Sequence, residues 1–444
     1  SSYKNDHKLI AFFGRLNYNY NDKYMASVSI RHEGSSRFGF NKKWGNFPAM
    51  SVGWRISKES FMQDIPWRTV LKLRYDFGVT GNQNFGNYQS LATYKAFGHY
   101  TYENMLFHVW GPSKNVNPNL RWEKGHNQNF GLDFSILNDR VNGSVNYYHK
   151  KQIDLLGTYE VPVPPNLFNT IFANVGTLKN TGWEFDLHVD AIRNKKLSWS
   201  INANAYTNNN EFVSFSNDIY KGQDYYNTCG MANPGNPGPL QRIEVGKRIG
   251  NFYTFRYAGV SDDGNWLIYD KDNNIIPIAN GTDEDKTITG NGLPKLNASL
   301  TNNITWKNFD ASISMRGAFG FELFDVHDFY YGLQTRQGNL SSNAFRRNAK
   351  ITKGSNVISD YFIHKGDYWK IDAISIGYTL NTKYKFVEKV RLYGTANNLY
   401  TFTHFPGVDP STYEVNGLTP GTFGGNAAYY PSTFQFIFGL QVDF

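Results

Sequence analysis

The sequence is short of the features that mark most familiar classes of protein. It has one cysteine among 444 residues, Cys229, so no disulfide forms within the chain. No uncharged apolar run comes near the roughly 18 residues that a spanning helix needs, and the mean hydropathy is −0.52. A helical membrane protein is therefore excluded. There is no basic run: 45 Lys and Arg stand against 37 Asp and Glu, a formal charge of +8, with the positive side chains scattered singly among aromatics and asparagines. That scatter argues against nucleic acid as a partner. The opening SSYKNDHKL has no initiator Met, no basic leader and no apolar leader core, as expected of a processed precursor or a piece of something longer. No segment holds a 3.6-residue apolar period, because Gly and Asn interrupt every candidate helix.

What the sequence has instead is aromatic side chains and a period of two. Its 34 Phe, 30 Tyr and 10 Trp make up 17% of the chain, far too many for a disordered one. Met50, Val52, Trp54 and Ile56 alternate with Ser51, Gly53, Arg55 and Ser57; Trp183, Phe185, Leu187 and Val189 alternate with Glu184, Asp186, His188 and Asp190. The pattern predicts thirteen long strands over 9–20, 23–33, 48–57, 69–80, 121–137, 140–155, 172–192, 197–212, 294–306, 308–320, 367–380, 388–402 and 432–444. Most are twice the usual five or six residues of a soluble strand.

A soluble sandwich also alternates, so two further features decide. Tyr18, Tyr20, Trp54, Trp183, Trp199 and Trp306 end the apolar stripes, as girdles at two membrane interfaces would. The opposite faces carry charge, as at Glu184, Asp186 and Asp190, which suits a water-filled lumen better than a protein core. Connections then alternate in length. Short or intermediate links fall at 21–22, 58–68, 138–139, 192–196, 307 and 381–387, and long loops at 34–47, 81–120, 156–171, 213–293, 321–366 and 403–431. Placing the last residue in the periplasm puts every short link on that side and every long loop outside, provided 249–260 belongs to an external subdomain within 213–293. Bacterial barrels have an even number of strands. Thirteen is odd, so residues 1–444 are expected to be the C-terminal portion of a larger antiparallel transmembrane β-barrel.

The blocks RHEGSSRFG (31–39), WGNFPAMSVGWRISKESFM (44–62), LKLRYDFGVTGNQNFGNY (71–88), NPNLRWEKGHNQNFGLDF (117–134), NVGTLKNTGWEFDL (174–187) and TANNLYTFTHFPGVDP (395–410) resemble the SusC/RagA-type TonB-dependent outer-membrane transporters of Bacteroidota. The resemblance implies an all-β barrel of roughly twenty-two strands in the cell outer membrane, with an N-terminal plug and a SusD-like surface lipoprotein as lid. It implies import of oligosaccharides or peptides, energised by TonB–ExbB–ExbD. The plug, the energy-coupling segment and the first strands of such a barrel are not in this sequence.

No catalytic constellation or cofactor motif is present, and no enzyme activity is expected. His99, His108 and His126 lack ligand spacing, and DKDNN at 270–274 lacks the Gly and closing Glu of a calcium loop. The stretch GNPGPLQRIEVGKRIG resembles a phosphate loop only in its glycines. Arg31, Glu33 and Arg37 are expected to pair where a strand leaves the membrane, with Asn82 and Gln83 of GNQN in a turn. For the substrate, aromatic faces suit the C–H faces of sugars, and they equally suit packing against a lid. The candidates are Tyr88, Tyr100, Tyr102 and Trp110 in one loop and Tyr225, Tyr226, Tyr361 and Trp369 in a second set.

The ending STFQFIFGLQVDF reads as a closing strand whose phenylalanines face lipid, each ring buried for about 1.5–3 kcal/mol. Its terminal Phe444 is expected to signal to the barrel-assembly machinery. The leading expectation is active import of oligosaccharides, with peptide import the alternative inside the class. A secreted adhesin or lectin and a passive porin are the alternatives outside it.

Overall fold

The computed structural model describes residues 4–62, 68–215, 224–231, 237–336, 338–354, 356–384, 386–413, 417–422 and 432–444. Parts of the expected connections 58–68, 213–293, 321–366, 381–387 and 403–431 lie outside those residues.

One large antiparallel sheet is built from thirteen strands in chain order: β1 (Leu9–Tyr20), β2 (Tyr24–Ser35), β3 (Trp44–Arg55), β4 (Arg68–Asn82), β5 (Glu123–Ile136), β6 (Val141–Glu160), β7 (Thr170–Arg193), β8 (Leu197–Thr207), β9 (Leu296–Trp306), β10 (Phe309–Phe319), β11 (Tyr368–Tyr384), β12 (Val387–Thr403) and β13 (Gln435–Asp443). Each corresponds to one strand expected from the period of two. The expected strand 197–212 breaks at Asn208; the strand Asn209–Ser214 that follows pairs with β7, off the main path. Loop 81–120 is not irregular throughout, since Tyr94–Tyr102 and Met105–Pro112 form a two-stranded hairpin. The segments Asn251–Thr254 and Arg256–Val260 fall in separate four- and three-stranded sheets, not in the large one.

Two compact units are distinguished. In the unit of Ser1–Asp133, Asn146–Thr181 and Asn210–Asp224, register lines up Tyr20, Tyr24, Trp54 and Leu73 across four strands, and Leu16, Val28, Met50 and Phe77 in a row above them. Where these strands meet their long loops, Phe38, Phe47, Leu120 and Trp122 form a buried cluster with Val79, Phe85, Leu156 and Phe172 around it. Gly39 is required there, because a Cβ would lie 1.8 Å from the Pro118 carbonyl oxygen.

In the unit of Phe134–Val145, Gly182–Asn209 and Tyr225–Phe444, neighbouring residues of the sheet sort into two faces. One face carries the row Leu197, Trp306, Phe309, Tyr378, Leu392 and Leu440 near one end of the strands. Near the other end it carries Phe185, Ala205, Ala298, Gly317, Trp369 and Phe402. Aromatic pairs mark both ends: Trp306 on Phe309 at 6.0 Å and Phe309 on Tyr378 at 4.6 Å, then Phe319 on Trp369 at 6.1 Å and Tyr400 on Phe402 at 4.7 Å. One residue along, the opposite face reads Ser198, Thr305, Asp310, Gly377, Tyr393 and Gly439. Gly439 makes room on it for the Tyr393 ring, whose Cζ lies 2.2 Å from where a Cβ would stand.

The same unit holds a second kind of core, made from loop residues. Trp266, Phe252, Phe324, Phe329, Phe362 and Leu240 are fully buried in it, drawn from the segments on either side of β9 and β10. The short helix Val326–Tyr331 anchors it, with Asp325 as N-cap accepting from the Asp328 N–H at 2.9 Å.

Candidate functional site

The polar face of the sheet is lined with charges held in opposite pairs. Arg74 donates to both Asp133 carboxylate oxygens at 2.8 Å and to Asn146 Oδ1 at 2.9 Å. Arg391 does the same to Asp310, at 3.0 and 2.5 Å, and Arg316 reaches Asp372 at 3.1 Å. Their side chains keep between about a quarter and a half of their surface exposed, so each pair adds at most about 1 kcal/mol of stability. What the pairing provides is a polar face on which these charges are balanced.

The rim motif binds loops together. Arg31 pairs with Glu33 along β2, whereas Arg37 turns away from both and donates to the Gln83 carbonyl at 2.9 Å and to Asn87 Oδ1 at 2.8 Å. The expected convergence of all three is thus a pair plus a separate loop clamp. Asn82 closes its turn by accepting from the Asn84 N–H at 2.9 Å. Asn174 holds both backbone groups of Arg121, at 2.9 and 2.7 Å, and Trp122 Nε1 donates to the Lys43 carbonyl at 2.8 Å. Five of the six sequence blocks therefore meet around the Phe38, Phe47 and Trp122 cluster, because their residues pack on or bond to one another.

The eight aromatic candidates divide by environment. Tyr100, Tyr102 and Trp110 stand on the hairpin 94–112, more than half exposed, with Tyr100 stacked on Phe107 at 5.5 Å. Tyr88 adopts a positive φ of 63° and its hydroxyl accepts from the Asp6 N–H at 2.9 Å. Tyr225 and Tyr226, each about half exposed, sit side by side on the strand Tyr225–Gly230. Tyr361 and Trp369 stand in apolar surroundings. Tyr361 belongs to the loop core: its ring packs on Tyr257 at 4.7 Å and Trp266 at 5.5 Å, and its hydroxyl donates to Asn348 Oδ1 at 2.6 Å. Trp369 lies on the apolar face opposite Gly317 and Phe402, because an irregularity of register at Asp372 shifts its side by one residue.

Buried charge gathers in the loop core. Asp328 accepts from Asn343 Nδ2 at 2.9 Å and Asn348 Nδ2 at 3.2 Å, with Arg347 Nη1 at 3.7 Å. Burial pushes the Asp325 carboxyl above its ordinary range, and burial with the Arg347 charge brings the His364 imidazole down to about 4. At Asp409 burial acts upward, but hydrogen bonds from Lys370, Ser432 and Ser411 outweigh it and bring the carboxyl to about 2. Sequence periodicity gave no sign of the Asp325, Asp328 and Arg347 cluster, whose members are brought together by loop packing.

His99 and His108 face each other across the hairpin with ring centroids 4.2 Å apart, while His126 lies in β5. No group of three or more His, Cys, Asp or Glu among the described residues could hold a metal ion. Asp270 of DKDNN closes a turn by accepting from the Asp272 and Asn274 N–H groups.

The family model described as TonB dependent receptor-like, beta-barrel, matches residues 1–399. The chain is 31% identical to the TonB-dependent receptor SusC of Bacteroides thetaiotaomicron, over 100% of this chain and 44% of that receptor. To the TonB-dependent receptor P39 of Formosa agariphila it is 29% identical, over 99% of this chain and 46% of that one. It thus spans about half the length of the curated relatives it matches. The RagAB peptide importer in its 'open-open' state shares the fold, with a TM-score of 0.81 at 23% identity over 99% of this chain and 47% of that one. A long-stranded sheet with one aromatic-ended apolar face and one charged face is what an all-β barrel of the outer membrane requires, and the chain belongs to the TonB dependent receptor-like β-barrel family.

Proposed function

We propose that this chain is the C-terminal barrel portion of an active importer of nutrient oligosaccharides. A SusD-like surface lipoprotein closes it from outside, and TonB–ExbB–ExbD energises it through a plug supplied by the part of the relatives' length that this chain does not span. The observation that carries the reading is the register of the large sheet. Its apolar rows run from Leu197 to Ala205 along β8, roughly 27 Å of strand at 3.4 Å per residue, near the ~25 Å apolar band of outer-membrane barrels once the strands tilt. The Arg74, Arg316 and Arg391 charges of the other face are paired with carboxylates and partly exposed, as the wall of a solute chamber needs. Such a wall moves a solute without making or breaking bonds. Tyr88, Tyr100, Tyr102, Trp110, Tyr225 and Tyr226 are the aromatics that offer exposed faces to a solute or a lid.

The test uses the full-length protein with its lipoprotein in detergent or bilayers. Titration calorimetry with pools of neutral and acidic oligosaccharides and of peptides is expected to show heat for oligosaccharides. Binding of peptides alone would replace this reading with peptide import. A protein that stayed in water without detergent would remove the barrel reading in favour of a secreted adhesin.

A further inference from the structure

Among the described residues, five arginines lie over tyrosine rings: Arg242, Arg256, Arg336, Arg347 and Arg391. Four of them engage their outer nitrogens with the protein. Arg256 donates to Asn273 Oδ1 at 2.6 Å and to the Asp270 carbonyl at 2.7 Å. Arg336 donates to the Tyr330 carbonyl, Arg347 to the Tyr361 carbonyl at 3.0 Å, and Arg391 to Asp310. These are structural cations whose hydrogen bonds fix a loop or a strand.

Arg242 differs. Its guanidinium lies between two rings, 4.0 Å from the Tyr225 centroid and 3.5 Å from that of Tyr253. Its Nε donates to Asn227 Oδ1 at 2.9 Å, the residue directly opposite in the strand pair. Neither Nη atom has a hydrogen-bond partner among the described residues, and Arg242 makes no ion pair among them. Asp283 is close enough for the Arg242 charge to help lower its carboxyl, but the larger effects come from Lys286, which holds it at 2.7 Å. Glu244, two residues along the same face and opposite Tyr225, is likewise unpaired with Arg242.

Two stacked rings fix the plane of a guanidinium, and the bond at Nε fixes its rotation. The edge left over carries two parallel N–H groups with the spacing of two carboxylate oxygens. A side chain that has already lost its rotamer freedom gives up less on binding than a free one. The flanking tyrosines add flat apolar faces beside that edge. We propose that Arg242, clamped between Tyr225 and Tyr253, binds a carboxylate on the imported solute. This rests on the import reading above and narrows it to acidic cargo. A carboxylate can come from a uronic acid in an oligosaccharide or from the C-terminus of a peptide.

The test is titration of the full-length protein with its lipoprotein against four probes. These are an oligogalacturonate, its methyl ester, a peptide with a free C-terminus and the same peptide amidated. The wild type is expected to bind one acidic probe at least tenfold more tightly than its neutralised form, as one charged hydrogen-bonded pair supports, and the probe that shows the difference identifies the source. Arg242→Gln is expected to erase that difference while leaving affinity for the neutral form unchanged; Arg242→Lys, which keeps charge but not the fork, should retain part of it. Glu244→Gln is expected to strengthen acidic binding by removing a nearby like charge. Equal affinity for acidic and neutral forms in the wild type, or a preference that survives Arg242→Gln, would overturn the proposal and leave import standing. Failure to bind any of the four probes or a neutral oligosaccharide would overturn both. Heat-modifiable migration on a gel verifies that each variant is folded.

Discussion

The sheet and the loop core use the same aromatic residues in opposite ways. In β1 and β13, Phe12, Phe436 and Phe438 are between 64% and 84% exposed, whereas Trp266, Phe252, Phe324 and Phe329 in the loop core are 0% exposed. Burial is favourable in both cases, but the medium that does the burying differs. The loop core supplies its own apolar surroundings, as any soluble domain does. The apolar face of the sheet is left uncovered among the described residues and relies on lipid, while its opposite face stays polar for water. Hydropathy summed over the chain averages the two regions and reports neither.

That difference can be broken from either side. The largest effect is expected in the loop core: Trp266→Ala removes a ring packed on Tyr257, Tyr361 and Phe362 and should cost about 3–5 kcal/mol. Limited proteolysis of the segments around 250–360 should quicken, while the same truncation at Phe438 should leave that proteolysis unchanged. The next effect is in the sheet. Ile201→Arg, midway along the apolar face of β8 and opposite Val189, should cost about 2–4 kcal/mol in urea unfolding from lipid vesicles. Asn204→Arg, on the polar face opposite Asp186, should cost less than about 1 kcal/mol in the same measurement.

The smallest effect is on acid sensitivity. His364 has a pKa lowered from 6.5 to about 4, chiefly by burial. Its neutral form is the folded one, so its contribution is fully present above pH 6.5 and is lost as pH falls toward 4. His364→Gln should remove that loss, no more than about 2 kcal/mol once partial exposure is allowed for. Asp325 acts the other way, since a carboxyl raised by burial favours folding at lower pH. Comparing thermal unfolding of His364→Gln with the wild type between pH 7 and 4.5 isolates the imidazole.

Every sheet strand was legible because period two acts locally: an outward Leu392 and an inward Tyr393 differ in polarity whatever surrounds them. Trp369 shows where that reading stops. Counting back from Tyr378, Ile376 and Ile374 puts odd positions on the polar face, but the irregular register at Asp372 transfers Trp369 and Ile371 to the apolar one. A bulge of one residue leaves no mark in composition. The surroundings of Tyr361 were hidden for a different reason. Its partners Tyr257 and Trp266 lie about a hundred residues away, and contacts of that range are set by loop packing that no local pattern records. Arg242 was equally hidden, since its two tyrosines come from different strands and only the register of the small sheet brings them to its faces. Tyr225, by contrast, was a candidate from the sequence, for its ring rather than for the cation that lies over it.

The assignment of one face to lipid and the other to water is tested most directly by spin labels placed singly from Leu392 to Asn397 along β12, in the full-length protein reconstituted in bilayers. Power saturation with oxygen and with a water-soluble nickel chelate reads the two media separately. Labels at 392, 394 and 396 should be accessible to oxygen and shielded from nickel, and labels at 393, 395 and 397 the reverse. Equal nickel accessibility at both parities would mean that water bathes both faces, and would contradict a membrane-spanning sheet.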